Sequence, residues 1–571
     1  MRPTRASAVL KARAIAGTNV VVLAWDVVSG DEADLRDDCL GFAIERTEFK
    51  AGGTPLETYW MRSIKRFKDK DKGLPPGTPV STADHPIQTF QWGDYTAKAG
   101  RKYQYRIVPT HGTPKLLTLD NAAAVTIPVE TEPELGAVPT AEGGIRHDVF
   151  FNRGVIGSQA YAREFQNAEP DPNDPTSDKM VWLSRGLFEA LQNFIGLAKN
   201  EDFALRAAVY EFHYQPVANA FAKAIEAGAD VKIVYDAESP YKVGNLDTIQ
   251  RAGLDAADAV IPRTVSEGIR HNKFIVLLKK NGAGQLKPVA VWTGSTNISV
   301  GGIFGHSNVG HIVWDKQVAK AYLKYWERLS DNLTCTKLRP LNRDATPTPA
   351  DKTSPNSVVP LFSARDDKES IETLQWYADR MAEAKEIVCF TVAFNLDFVF
   401  QPFFQADNDV LRYIVKDDDL GDGEIIGHDR DVLFAAGSYL GANSLINFRG
   451  ERSNPLNSND YIHTKFMLVD PLSTDPLVVT GSANFSRPSQ RTNDENMLVI
   501  RGDLRVADIY FGEFMRIFDH HYARYLVRKL TNAGTSDPNA GYLKEKTADW
   551  LPTHFNPASY KAKRRRYFVG S

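Results

Sequence analysis

The sequence has few cysteines, no long apolar run and almost no net charge. Its three cysteines, Cys39, Cys335 and Cys389, are an odd number and lie far apart in a chain of 571 residues, which argues against a disulfide framework and against a zinc cluster. No apolar run approaches the roughly 18 to 20 residues that cross a bilayer, and the first residues lack the apolar core of a signal peptide. The sequence therefore predicts a soluble protein, cytoplasmic rather than secreted, and export without a signal peptide stays open.

The charge balance excludes a chain-wide attraction to polyanions. Lys and Arg number 68 against 71 Asp and Glu, for a net charge of −3, so any basic site must be local. Hydrophobic residues make up 43% and charged residues 24% of the chain, as in ordinary globular proteins. A chain of this length exceeds what one hydrophobic core supports, and two to four domains are expected.

The first quarter of the chain has the sequence pattern of an all-β domain. Stretches such as TNVVVLAWDVV, TFQWGDYTA and YQYRIVPTHG are separated by Gly, Pro and Asp turns and show no helical period. This pattern predicts a β-sandwich over residues 1–135. The pairing of LGFAIERT with AGRKYQYRIVPTHG resembles fibronectin type III domains, and that resemblance implies a role in positioning or tethering the neighbouring domain.

From about residue 145 the pattern changes to alternating helices and strands. QPVANAFAKAIEAGA runs directly into DVKIVYDA, and SIETLQWYADRMAEAKEIVCFTVAF repeats the same order later in the chain. We therefore expect two similar α/β halves, residues 145–335 and 361–530, joined by a Pro-, Thr- and Asn-rich linker over 336–360. Residues 531–571 form a C-terminal basic extension, whose KAKRRR run is either a solvated tail or a contact for phosphate groups.

Each half contains the same short pattern of polar residues. The copies comprise His271, Lys273, Ser295 and Asn297 in the first half and His463, Lys465, Ser482 and Asn484 in the second. Side chains two apart on a strand share a face, so each His is expected to project beside its Lys. The GSxN turn can then bring a hydroxyl and a carboxamide back toward the same pocket.

The doubled pattern, HNK with GSTN and HTKFMLVD with GSANFS, resembles the phospholipase D superfamily over about residues 145–530. A single HxK carries little information, whereas two copies in equivalent halves are specific. The resemblance implies phosphodiester hydrolysis through a phosphohistidine, without a divalent cation or other cofactor. Because one chain carries both copies, an oligomer is not required to complete the site.

The residue types suit that chemistry. A phosphodiester is anionic, so its attack needs positive or donor groups at the non-bridging oxygens, which two Lys, two Asn and two Ser hydroxyls can supply. One neutral imidazole can attack phosphorus while the other, protonated, donates to the leaving oxygen. The roles reverse when water cleaves the intermediate.

The second copy has carboxylates that the first lacks. Asp470 occupies the signature position, where the first copy has Leu278, and strand parity turns that position away from the His and Lys. The difference at this position is therefore expected to affect structure more than chemistry.

Glu495, eleven residues beyond Asn484, can fix the tautomer of an imidazole, and Ser307 stands about where the first copy would align with it. Triad logic then makes His463, oriented by Glu495, the nucleophile and His271 the general acid. Analogy with the family implies the opposite assignment, and the sequence leaves both open.

The motif indicates that the substrate is a phosphodiester but does not identify which phosphodiester it is. We favour phospholipid headgroup cleavage, a phospholipase D activity with a peripheral contact to the membrane. The alternatives are an endonuclease acting on DNA or RNA and an inactive phosphodiester-binding scaffold. Hydrolysis and headgroup transfer are equally compatible with the motif.

Overall fold

Alternating apolar side chains fold the first 130 residues into two larger antiparallel sheets and a two-stranded one, β6-β7. The computed structural model describes residues 2–139, 144–394, 396–419, 431–454, 456 and 461–570. One sheet has the order β1-β2-β3-β8, and in the other β9 pairs with β4, β10 and β11, with β5 beyond β4. Residues alternate between buried and exposed along β11, as expected for a sheet with one face on the core. The strands are β1 (Thr4–Ala6), β2 (Leu10–Ala16), β3 (Val21–Val27), β4 (Cys39–Phe49), β5 (Pro55–Trp60), β6 (Arg62–Ser63), β7 (Val80–Ser81), β8 (Gln91–Asp94), β9 (Lys102–Thr113), β10 (Leu116–Leu119) and β11 (Val125–Glu130).

This unit confirms the predicted all-β N-terminal region, while its resemblance to fibronectin type III domains stays a prediction. Its core contains Trp25, Phe42 and Phe90, and it is completed by Trp550 and Leu551 from the C-terminal part of the chain. The N-terminal unit is thus held to the rest of the protein by residues that are remote in sequence.

The first α/β half is built on a seven-stranded mixed sheet in the order β12-β18-β17-β16-β13-β14-β15. The predicted helix-then-strand segment 215–237 is observed as α4 and β14. The elements are β12 (Arg146–Phe151), α1 (Gln159–Glu164), α2 (Asp178–Ser184), α3 (Leu187–Gly196), β13 (Phe203–Val209), α4 (Gln215–Glu226), β14 (Asp230–Asp236), α5 (Lys242–Arg251), β15 (Val260–Arg263), β16 (Lys273–Lys280), β17 (Leu286–Gly294), β18 (Val309–Trp314), α6 (Lys316–Ser330) and α7 (Cys335–Ala345).

The second half repeats this sheet strand for strand, in the order β19-β25-β24-β23-β20-β21-β22. The repeat confirms the prediction of two related α/β halves. Its elements are β19 (Ser357–Ser363), α8 (Asp367–Ala382), β20 (Ile387–Val392), α9 (Gln401–Gln405), β21 (Leu411–Lys416), β22 (Val432–Ala436), β23 (Phe466–Val469), β24 (Leu477–Gly481), α10 (Arg487–Arg491), β25 (Glu495–Arg501) and α11 (Leu504–Asn532), and a last helix, α12 (Tyr560–Val569), follows.

The two halves share one hydrophobic cluster, and each half also has a cluster of its own. Phe274 on β16, Phe466 on β23 and Phe514 on α11 belong to the same buried cluster. Strands β16 and β23 are the fourth of seven in their sheets, so the segment that carries each HxK is central in its half. None of the described helices combines the length and the apolar character that spanning a membrane requires.

The segment predicted as a linker, 336–360, contains regular structure. Nearly all of α7 and the first residues of β19 fall within it, because Val358 and its neighbours pair with β25 at the sheet edge. A connection rich in Pro and Thr therefore spans only the residues between α7 and β19.

The basic run 561–566 is not a solvated tail. It lies on α12, which packs on β2 and β3, and Lys563, Arg564 and Arg565 pair with carboxylates of other units. Lys563 contacts Asp409 at 2.7 Å and also Asp431, and Arg565 pairs with Asp26. These cations pair within the fold because Phe568, in the hydrophobic cluster shared by the two halves, holds the helix against it.

Candidate active site

The two motif histidines meet at the interface between the halves. His271 directly precedes Asn272 and β16, His463 lies just before β23, and the ring centroids are 6.3 Å apart at an interplanar angle of 71°. Equivalent backbone bonds on the two sides hold them there: Asp494 N–H donates to Ile269 O at 2.9 Å, and Ser307 N–H donates to Tyr461 O at 2.9 Å. The pseudo-twofold arrangement thus places both rings in one site.

Each motif lysine is positioned by its own histidine. Lys273 Nζ donates to His271 O at 2.6 Å, and Lys465 Nζ donates to His463 O at 2.7 Å. An aromatic ring lies beside each ammonium, Tyr210 at 5.2 Å from Lys273 and Phe394 at 5.9 Å from Lys465. Two fixed positive charges therefore flank the histidine pair, one from each half.

Glu495 orients His271, not His463 as triad logic suggested. Its Oε2 accepts from His271 Nδ1 at 2.9 Å, although Glu495 belongs to the other half. The same carboxylate accepts from Ser482 Oγ at 2.7 Å and from Asn493 Nδ2 at 3.2 Å, and it is fully buried. The carboxylate crosses the interface because β25 begins beside the segment that leads into β16.

His463 has a neutral partner, Asn308, in the equivalent place. Asn308 Oδ1 lies 3.1 Å from His463 Nδ1, and the backbone oxygen of Ser295 lies 3.2 Å from the same nitrogen. The alignment of Ser307 with Glu495 is therefore wrong by one residue. Asn308 follows Asn297 by the same eleven residues that separate Glu495 from Asn484, a spacing that could have identified it.

The motif serines lie behind the rings. Ser295 Oγ donates to Asn308 Oδ1 at 2.7 Å, as Ser482 Oγ donates to Glu495, and each hydroxyl also accepts a backbone N–H, from Val309 and from Asn496. Both serines are fully buried. They hold the acceptors of the histidines, whereas the sequence suggested that they face the phosphate.

The motif asparagines line the cavity in front of the rings. Asn297 Nδ2 donates to Glu211 Oε1 at 2.5 Å, and the side-chain oxygens of Asn297 and Asn484 are buried without a hydrogen-bond partner among the described residues. Glu211 carries no motif and was not identified from the sequence. Amide groups at this position can meet a polar ligand that enters the cavity.

Asp470 has a structural role at the far end of β23. Its carboxylate accepts the backbone N–H groups of Lys385, Glu386 and Ile387 at 2.8, 2.8 and 3.1 Å. These bonds fix the turn before β20. In the first half, Leu278 lies at a β-bulge between β16 and β17.

Burial keeps both imidazoles neutral. Burial is the largest influence on the pKa of His271, which is lowered to about 4 although Glu495 acts in the opposite direction. Burial and the neighbouring Lys465 hold the pKa of His463 well below its usual range. Burial also lowers the pKa of Lys273 to about 8, so this ammonium is charged at neutral pH and titrates just above it.

The cavity in front of the rings has a volume of about 530 Å³. Of the described residues that line it, none is Arg or Lys, and several are apolar or aromatic: Tyr210, Tyr241, Val300, Phe394, Leu456 and Pro488. Among the described residues, including those of the cavity, no group of three or more His, Cys, Asp or Glu side chains is arranged to hold a metal ion.

Comparison with known proteins relates these halves to one family. The family model described as "Cardiolipin synthase, PLD-like domain" matches residues 193–330 and 438–520, and each range contains one HxK with its GSxN. A search of curated protein sequences finds no match to this chain.

Several solved structures are similar to the chain at low sequence identity. Phosphatidylserine synthase from Haemophilus influenzae is 13% identical, with 62% of this chain and 92% of that chain covered and a TM-score of 0.41. Nuc, a phospholipase D family member from Salmonella typhimurium, is 20% identical, with 33% and 95% covered and a TM-score of 0.22. Yeast tyrosyl-DNA phosphodiesterase 1 is 12% identical, with 54% and 85% covered and a TM-score of 0.29.

The family match falls on both halves, and it includes both copies of the doubled motif recognised in the sequence. It supports an enzyme that acts on phosphodiesters. The matched residues of both halves thus resemble PLD-like domains, which supports the resemblance to the phospholipase D superfamily drawn from the sequence.

Proposed function

We propose that this protein hydrolyses a phosphodiester through a phosphohistidine at His271, and that its substrate is a phospholipid. The observation that carries the first part is the bond from His271 Nδ1 to Glu495. A carboxylate that accepts from Nδ1 leaves the lone pair on Nε2, which is the nitrogen that can attack phosphorus. The neutral Asn308 beside His463 gives that ring less support for a positive charge or for a covalent bond.

In the first step, His271 Nε2 attacks phosphorus and the P–O bond to the leaving alcohol breaks. A proton on His463 Nε2 passes to the leaving oxygen, so that the alcohol departs neutral. Burial disfavours protonated His463 in the empty site. An anionic phosphodiester in the cavity offsets this effect, because an opposite charge nearby favours the charged imidazole.

In the second step, neutral His463 takes a proton from water, and the water oxygen attacks phosphorus. The P–N bond breaks and His271 returns to its neutral form. Lys273 and Lys465 offset the charge on the non-bridging oxygens in both steps, from opposite sides of the site. An alcohol in place of water would give headgroup transfer by the same two steps.

The rim of the cavity supports a lipid substrate. Tyr241 and Phe394 line the cavity, and two strongly exposed apolar residues follow them in the chain, Val243 at 71% and Phe398 at 60%, with the guanidinium of Arg487 over the Phe398 ring. Exposed apolar side chains around a site mark a contact with a partner or a membrane. A groove that binds nucleic acid is instead lined with basic residues along its length. The described lining has none, and the basic side chains beside it include the two motif lysines and Arg487. The match to a cardiolipin synthase family model agrees with this choice.

Two substrates with different leaving groups test the histidine assignment. p-Nitrophenolate leaves without a proton, whereas an alkoxide needs one, so His463→Ala should retain a single burst on a p-nitrophenyl phosphodiester and lose turnover on an alkyl diester. His271→Ala should lose both. A burst in His271→Ala, or phosphate attached to His463, would overturn the assignment.

Turnover of phosphatidylcholine vesicles and of single- and double-stranded DNA, with His463→Ala as the blank, tests the substrate class. Choline release that disappears in the variant is expected. In addition, Phe398→Ser with Val243→Ser should lower turnover on vesicles about tenfold, with little effect on a short-chain monomeric phospholipid. Leu116→Ser, at an equally exposed apolar residue in the N-terminal unit (75%), is the matched control. DNA cleavage lost in His463→Ala would favour the nuclease alternative.

A further inference from the structure

A second, larger cavity lies away from the catalytic residues. It has a volume of about 850 Å³ and lies between the N-terminal β unit, helix α1 and the C-terminal segment 540–561. Its walls are fixed by contacts between these units. Lys544 N–H donates to Gln88 Oε1 at 2.9 Å, Gln88 Nε2 donates back to Lys544 O at 2.7 Å, and Leu543 N–H donates to Arg66 O at 3.0 Å. The volume falls in the range of small-molecule sites, roughly 300 to 1,000 Å³.

The cavity has an excess of positive charge. Arg62, Lys65, Arg163, Lys544 and Lys561 line it, and none of these five forms an ion pair with a described residue. The lining includes a single described carboxylate, Asp549.

The ammonium groups act on one another. Burial together with Lys544 and Lys561 lowers the pKa of Lys65, and burial together with Arg564 lowers the pKa of Lys561. An anion that binds between these ammonium groups would favour their charged forms.

The rest of the lining is mostly apolar. Ile64 and Ile87 of the N-terminal unit, Phe448 of the second half, and Leu543 and Trp550 of the C-terminal segment contribute side chains to the walls. Apolar walls of this extent favour a hydrocarbon chain, and the cations favour an acidic group at one end of it. Inorganic phosphate alone would use only the cations, and a neutral detergent would use only the apolar walls.

We propose that this cavity binds a single-chain amphiphile with an anionic head, of the alkyl phosphate or fatty acid class. The hydrocarbon chain lies against Ile87, Leu543 and Trp550, and the head group contacts Lys65 and Lys561. The site does not share a residue with the catalytic cavity, so this proposal does not depend on the phosphodiesterase activity.

Isothermal titration calorimetry on the full chain tests the site, with octyl, decyl and dodecyl phosphate, laurate, dodecyl maltoside and inorganic phosphate as probes below their micelle concentrations. Affinity should rise about fourfold for each added methylene. Lys65→Gln with Lys561→Gln should weaken dodecyl phosphate about tenfold or more, whereas Lys115→Gln, at an exposed lysine in the β9–β10 turn, should not. Ala160→Phe, which places a ring into the cavity from α1, should abolish binding without removing a charge.

The measurements separate this site from nonspecific binding. Tighter binding of dodecyl phosphate than of laurate would identify a phosphate head, and the reverse order a carboxylate, and either result supports the proposal. Affinity that is independent of chain length, equal affinity for dodecyl maltoside, or undiminished binding to Ala160→Phe would overturn it. A melting curve for each variant shows whether it is folded, and Ala160→Phe still tests the cavity if the double lysine variant is not.

Discussion

The two histidines differ in their partners, and this difference predicts unequal effects of two similar substitutions. Glu495→Gln removes the charge that faces His271 and preserves the shape of the side chain. A hydrogen bond to a buried charged group contributes about 1.5 to 3 kcal/mol, which is roughly a 10- to 150-fold loss in rate. If the new amide donates to Nδ1, the proton moves to Nε2 and the attacking lone pair is lost, which raises the loss to about 10⁴-fold.

Asn308→Ala removes a neutral acceptor from His463. A neutral hydrogen bond contributes about 0.5 to 1.5 kcal/mol, so the loss should be roughly 2- to 13-fold. It should fall on the steps that need His463, which are protonation of an alkyl leaving group and attack by water. The burst on a p-nitrophenyl diester needs neither, and it should keep its wild-type rate in Asn308→Ala.

Rapid-quench measurement of that burst separates the two effects. Glu495→Gln should slow the burst itself, and Glu495→Asp, which retains the carboxylate, should recover part of the rate. A structural role for Glu495 would make both variants equally poor and lower their melting temperatures together. If Asn308→Ala slows the burst as much as Glu495→Gln does, the assignment of His271 as the nucleophile is wrong.

Three further predictions concern charge and stability. Because burial lowers the pKa of Lys273 to about 8, kcat/KM on the p-nitrophenyl diester should fall above pH 8. Lys273→Arg should remove this alkaline decline even if its overall rate is lower. A decline that persists in the variant would contradict the role of the ammonium. Asp470→Asn should lower the free energy of unfolding by about 2 kcal/mol, because it replaces a carboxylate that accepts three backbone N–H groups. The burst rate of the folded variant should stay unchanged. Loss of the burst would show that Asp470 takes part in the reaction. Burial lowers the pKa of His271 to about 4 and that of His306, whose ring centroid lies 4.9 Å from that of His463, to about 3. The unfolded chain therefore binds more protons than the folded chain below pH 6.5, and the free energy of unfolding falls as the pH falls, by about 1.4 kcal/mol per pH unit for each ring. Urea unfolding between pH 7 and 5 should show this slope, and His306→Asn should reduce it by one ring's share.

The sequence predicted the motif residues that the fold brings together and the elements that carry them, but it did not predict Asn308 or Glu211. Apolar periodicity located helices such as α4 and α8 and the strands that follow them, because burial on one face leaves a local pattern. The repeat of HxK and GSxN identified the two halves and the superfamily, since two copies of a spaced motif seldom arise by chance.

Only the tertiary structure decided which half supports which histidine. Glu495 lies near His463 in the sequence, but the pseudo-twofold interface places it against His271 and places Asn308 against His463. The burial of the basic C-terminal run and the cationic cavity beside the β unit likewise could not be predicted from the sequence. Each depends on contacts between segments more than a hundred residues apart. The amino-acid pattern of one segment shows which of its own positions are buried, but it does not identify the distant segment that packs against them.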